Sequence, residues 1–142
     1  MSFGESISTC FRKYAKFQGR ASRSEYWYFV LFIFICYAIF AILAILAATY
    51  QIFQIIPLFI IATILPSFAV TARRLHDVNK SGWLQLLPLP FSLMQTAFQS
   101  SDLAVIFFSV IALGLYIYLI FLYCKKGEQK DNDYGENIYQ SS

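Results

Sequence analysis

From Tyr26 to Ala72 the chain carries no charged side chain, a run of 47 residues. A helix crosses the roughly 30 Å hydrocarbon layer of a bilayer in about 20 residues, so a run of this length must fold back and cross twice. Two further charge-free runs, residues 81–101 and 103–124, are each about one span long. Apolar residues make up 58% of the chain and charged ones only 13%, too little polar surface to coat a soluble domain of 142 residues. Backbone in lipid must satisfy its own hydrogen bonds, and a helix does so within one segment. The expectation is an all-α membrane protein: one polytopic membrane domain over residues 1–126, with four transmembrane helices at about 25–50, 56–75, 82–99 and 103–124. A polar tail follows over 127–142.

Local signals place the ends of these spans. Ser22-x-x-Glu25 fits a capping box ahead of the aromatic-rich first span. Pro57 suits the first position of the second span, which leaves residues 51–55 as a tight uncharged turn. Pro66 denies the Ala62 carbonyl its helical donor, and Thr63, Ser67 or a neighbouring helix is expected to meet it. Pro88, Pro90, Gln85 and Gln95 interrupt the third charge-free run, so its helix is expected kinked or broken.

The basic residues set the orientation. Arg12, Lys13, Lys16, Arg20 and Arg23 precede the first span; Arg73, Arg74 and Lys80 lie between the second and third; Lys125, Lys126 and Lys130 follow the fourth. These are all eleven Lys and Arg residues, and four spans put every one on the same side. By the positive-inside rule both termini and the 73–80 loop are cytoplasmic. Residues 1–19 read as an amphipathic helix lying in the cytoplasmic interface, with Phe3, Ile7, Cys10, Phe11, Tyr14 and Phe17 recurring at helical spacing beside Arg12, Lys13 and Lys16. Ser2-x-x-Glu5 would cap its start and Gly19 would end it; packing on the cytoplasmic ends of the bundle is the alternative. The tail is polar and turn-rich and defaults to disorder, although Glu128, Asp131, Asp133 and Glu136 could dock on the basic loops. Cys10, Cys36 and Cys124 are odd in number and lack metal spacing, so they read as buried or interfacial thiols.

The segment "TARRLHDVNKSGW", residues 71–83, concentrates the chemistry. Arg73, Arg74, His76 and Asp77 suit phosphate recognition better than hydrolysis, because guanidinium forks are present and a nucleophile with an oriented base is missing. Neighbours on a helix point about 100° apart, so His76 beside Asp77 is not a dyad by sequence alone. No second His, carboxylate pair or Cys pair offers metal ligands, and no Gly-rich loop marks a nucleotide site. The candidate lipid- or partner-binding set is Arg20, Arg23, Arg73, Arg74, His76, Asp77, Lys80 and Trp83, with no catalytic residue, metal, cofactor or nucleic acid expected. The plainer reading is a topology anchor in which Asp77 pairs with Arg73, Arg74 or Arg23, while Asn79 or Ser81 caps the third span. Residues 19–27 and 73–83 are faintly alike, which hints at two tandem helical hairpins.

"FQGRASRSEYWYFVLF", "LPSFAVTARRLHDVNKSGW" and "NDYGEN" together resemble, in order and over roughly residues 11–137, the domain of unknown function 805 family, the YhaH-like small bacterial inner-membrane proteins. The resemblance implies a polytopic inner-membrane protein of a family without a settled activity. The function expected is non-enzymatic: binding of anionic phospholipid headgroups, a membrane-protein partner or a second copy through a basic cytoplasmic face. The alternative is a small transporter or channel for uncharged solutes. A cavity or pore at the broken third run would favour transport, and a solid, aromatic-filled core the former.

Overall fold

The structure is a computed structural model that describes residues 1–47 and 51–139. Five α-helices run in the order α1 (Phe3–Arg12), α2 (Arg23–Ala47), α3 (Gln51–Asp77), α4 (Pro88–Ala97) and α5 (Asp102–Cys124), with a 3-10 turn at Gly82–Leu86 ahead of α4. Among the described residues, three stretches are long and apolar enough to cross a membrane: Arg23–Leu46, Gln54–Asp77 and Asp102–Cys124. The third charge-free run, expected as the remaining span, is broken. Its 3-10 turn and ten-residue α4 meet at Leu87, immediately before Pro88. Pro90 sits within the first turn of α4, where its missing N–H has no helical acceptor to lose.

The boundaries differ from expectation in two places. Residues 51–55 form no turn but the first turn and more of α3, and Pro57 lies inside that helix. Residues 48–50 lie outside the described residues. Pro57 forfeits one backbone hydrogen bond there, which an otherwise apolar helix tolerates in lipid when neighbours shield it. At Pro66, Ser67 Oγ donates to Thr63 O at 2.6 Å, Thr63 Oγ1 to Phe59 O at 2.7 Å and Thr71 Oγ1 to Ser67 O at 2.7 Å. Each hydroxyl bonds the carbonyl one turn back in its own helix, and none turns to the Ala62 carbonyl.

α1 starts on a complete capping box: Ser2 Oγ accepts from Glu5 N and Glu5 Oε2 from Ser2 N. Helix geometry ends at Lys13, well short of Gly19, because Lys13 leaves the helical region (φ −96°, ψ 36°). α1 packs along α2 and touches α3. The face it buries is Ser6, Thr9 and Cys10, while Phe3 and Phe11 remain partly exposed. Phe11 meets Phe29 and Phe32 edge-on, with ring centroids 5.7 and 6.0 Å apart. Burial raises the Cys10 thiol to about 12, so it stays protonated and unreactive. The core gathers Cys10, Ala21, Tyr26, Phe29, Val70, Leu75, Leu119, Leu122 and Tyr123. These residues come from α1, the approach to and start of α2, and the ends of α3 and α5, so the tightest packing lies at one end of the bundle. Away from that end α4 packs mainly on α5 and α2 on α3, as two hairpins.

Candidate functional site

The charged segment at that end folds inward. Asp77, the last residue of α3, is fully buried and its carboxylate accepts four hydrogen bonds. Oδ1 takes Arg20 Nε at 3.1 Å and Nη2 at 2.9 Å; Oδ2 takes Arg74 Nη1 and the Tyr139 phenol, the latter at 2.6 Å. A carboxylate at a helix C-terminus faces the negative end of the dipole, and the two guanidinium groups offset that disadvantage. Arg74 also donates Nε to Tyr123 O at 3.1 Å and Nη2 to Lys125 O. These carbonyls belong to the last turn of α5 and its C-cap, which have no donors of their own, so Arg74 caps α5 from across the bundle. Arg73 points elsewhere, and its Nη2 lies 3.1 Å from Glu25 Oε1 in a second buried pair.

The chain after α5 closes this network instead of standing free in solvent. Glu128 N bonds Asp77 O at 2.9 Å. Arg20 donates Nη1 to Lys130 O at 2.8 Å and to Glu136 O at 3.4 Å, and Nη2 to Glu128 O. Asn132 Nδ2 bonds His76 O at 2.9 Å, and Tyr134 stacks on the His76 ring at 4.0 Å and 5°. Default disorder of the tail is therefore overturned for residues 127–139. Its acidic side chains do not make the contact; main-chain groups and the side chains of Asn132, Tyr134 and Tyr139 do. Burial first, and then the bond to Asp77, raises the Tyr139 phenol to about 12, so it remains a neutral donor throughout the physiological range. Gly127 is required for close approach, because a Cβ there would collide with Asp77 Oδ2 and stand 2.5 Å from the Tyr139 hydroxyl.

Two backbone devices aim the charged groups. Gly19, at φ +88°, turns the chain so that its carbonyl meets His76 Nδ1 at 3.1 Å and Arg20 enters the core. α3 ends in a Schellman closure, with Asn79 at φ 55°, Asn79 N bonded to His76 O and Lys80 N to Leu75 O. Asn79 thus ends α3, while Ser81 caps the 3-10 turn by accepting from Trp83 N.

Of the eight candidate residues, the structure brings Arg20, Arg74 and Asp77 together, with His76 beside them and Arg73 held by Glu25. Arg23, Lys80 and Trp83 are exposed and outside the network. Asp77 pairs with Arg20 and Arg74, not with Arg73 or Arg23. Sequence reasoning missed Glu25 as a partner, and with it Gly127, Asn132, Tyr134 and Tyr139. Among the described residues no group of three His, Cys, Asp or Glu side chains could hold a metal ion.

A cavity of about 640 Å³, open on one side, lies between α3 and the 3-10 turn. Ile64, Leu65 and Phe68 form its apolar wall, and His76, Ser81, Gln85 and Tyr134 its polar end.

Three long apolar helices tied at one end by a buried ion network define a helical membrane protein. The chain belongs to the family "Protein of unknown function (DUF805)", which it matches over residues 14–136. It is 31% identical over 127 residues to the inner membrane protein YhaI of Escherichia coli K12, covering 89% of this chain and 88% of the relative. It is 33% identical over 84 residues to the inner membrane protein YhaH of the same strain, covering 56% of this chain and 69% of the relative. No solved structure matches the chain.

Proposed function

We propose that this chain is a non-enzymatic, multi-pass inner-membrane protein with both termini cytoplasmic, whose basic rim holds anionic lipid headgroups and through them or directly a membrane partner or second copy. One observation carries the reading: the cations are divided by role. Arg20, Arg73 and Arg74 are buried and committed to partners within the chain, whereas Arg12, Lys16, Arg23, Lys80, Lys125, Lys126 and Lys130 are all exposed. The exposed set surrounds the tied end, because α1, the end of α3 and the end of α5 all meet there. Each such cation near an anionic surface contributes about 1 kcal/mol. Replacing Arg23, Lys80, Lys125 and Lys126 together by Gln should sharply reduce phosphatidylglycerol retained by the purified protein in native mass spectrometry, while thermal stability in detergent is unchanged. Equal retention would sink the rim reading.

The geometry also supports four crossings. α3 ends and α5 ends at the tied end, and α5 is about 34 Å long, so the chain from Lys80 must travel the length of the bundle to begin α5. The 3-10 turn and α4 supply about 25 Å of that path. In a cysteine-free background, Asp102→Cys should react with an impermeant maleimide on whole cells and Lys80→Cys only after permeabilisation. Labelling of both from the same side would rule out this topology.

Transport of a small uncharged solute is the second reading, and the cavity at the broken segment favours it. Its lining on α3 runs only from Ile64 to His76, about 18 Å of helix, so it reaches through about half of the hydrocarbon layer.

A further inference from the structure

We propose that the cavity between α3 and the 3-10 turn is a lipid subsite for one anionic glycerophospholipid of the cytoplasmic leaflet, its acyl chain along the apolar wall and its phosphodiester at the polar end. The inference deepens the basic-rim reading and rests on it for the sign of the headgroup. The two ends of the cavity differ in chemistry in the direction that the bilayer does. Ile64, Leu65 and Phe68 lie on the part of α3 further from the tied end, and all three are exposed on the helix surface. His76 and Tyr134 lie at the tied end, where the network begins. The depth of about 18 Å along α3 matches one leaflet, and 640 Å³ is within the range of small-molecule sites.

The polar end is equipped to donate. Gln85 sits in an otherwise apolar turn, lines the cavity and makes no side-chain hydrogen bond among the described residues. The Ser81 hydroxyl oxygen accepts from Trp83 N, which leaves its proton free to donate. His76 Nδ1 is engaged by the Gly19 carbonyl, so the neutral ring presents Nε2 as an acceptor suited to a glycerol hydroxyl. No carboxylate lines the cavity, and exposed Lys80 and Lys16 adjoin Ser81 and Phe17 at its edge. Donors, a flanking pair of cations and an acceptor for a hydroxyl fit a phosphodiester with a polyol headgroup. Trp83, 78% exposed, stands at the mouth, as tryptophan does at the headgroup level. The floor is built for this space: Gly82 approaches α3 so closely that a Cβ would lie 2.8 Å from Ala72 Cβ.

The full-length protein in nanodiscs of mixed phosphatidylglycerol and phosphatidylethanolamine tests the site by native mass spectrometry. The parent should retain phosphatidylglycerol in preference to phosphatidylethanolamine. Leu86→Trp, which fills the cavity and leaves every rim cation in place, should lower the tightest retained phosphatidylglycerol by about tenfold, as expected when about two methylenes lose their buried surface. Leu113→Trp, on an exposed face of α5, adds the same bulk elsewhere and should change nothing. Gln85→Leu should keep lipid but erase the preference between headgroups. Unchanged retention in Leu86→Trp overturns the cavity site while leaving the rim reading intact. Equal retention of both lipids by the parent overturns the headgroup assignment, and the absence of any retained lipid overturns both readings.

Discussion

Asp77→Ala should be the most damaging single substitution at the tied end, destabilising the protein by about 3–5 kcal/mol. The estimate follows from what is left behind. Arg20 and Arg74 are 5% and 0% exposed, and without Asp77 they are two buried cations facing only carbonyl oxygens. The Tyr139 hydroxyl and three guanidinium contacts lose their acceptor with it. Asp77→Asn should be nearly as costly, because the amide keeps the shape but turns a donor toward one guanidinium. Coupling separates this from a general packing defect: Arg20→Gln added to Asp77→Asn should cost less than the sum of the two, since one removes the charge that the other strands. Thermal unfolding in detergent, followed by size-exclusion recovery, measures it. Wild-type stability in Asp77→Ala would refute the network as the clamp of the bundle.

Gly127→Ala should release the tail while sparing the helices. One methyl group would have to occupy the space of Asp77 Oδ2 and the Tyr139 hydroxyl, both held by several bonds, so neither can give way cheaply. Overpacking of this kind costs about 1–3 kcal/mol, and here the weakest attached element is the tail itself. The expected result is rapid trypsin cleavage at Lys125, Lys126 and Lys130 with helical circular dichroism preserved; Gly135→Ala, in open space but at φ 141°, should loosen only its local turn. Resistance to trypsin equal to the parent would show that the close approach at Gly127 is not needed.

The long helices were legible because burial in lipid leaves its mark on composition, and α2, α3 and α5 stand where charge-free runs stand. The break before α4 was legible from Pro88 and Pro90. The turn at 51–55 was misread because Pro57 resembles a first helical residue, and nothing in "QIFQI" marks helix against an uncharged turn. An internal ion pair for Asp77 was foreseen, but its choice of Arg20 was not: the partners lie 57 residues apart, and a left-handed Gly19 decides which arginine enters. Docking of the tail was named as an alternative to disorder, but through its acidic side chains, and the contacts that make it were out of reach for a different reason. Arg20 and Arg74 bind main-chain carbonyls, which every residue carries, so side-chain identity holds no record of them. Gly127 right after a helix reads as an ordinary C-terminal glycine, which concealed its closeness to Asp77.

The latch over Asp77 also imposes an order on biosynthesis. Arg20 emerges early and Tyr139 some 119 residues later, an interval of roughly 6–24 s at 5–20 residues per second. Through that interval Arg20, Arg74 and Asp77 lack the carbonyls and the phenol that surround them in the finished protein, so the end that bears them must stay hydrated and open. All the helices that cross are therefore inserted before this end becomes dry, and the last turn of chain seals it. A nascent protein stalled after α5 would display two arginines, Arg20 and Arg74, that the completed protein hides.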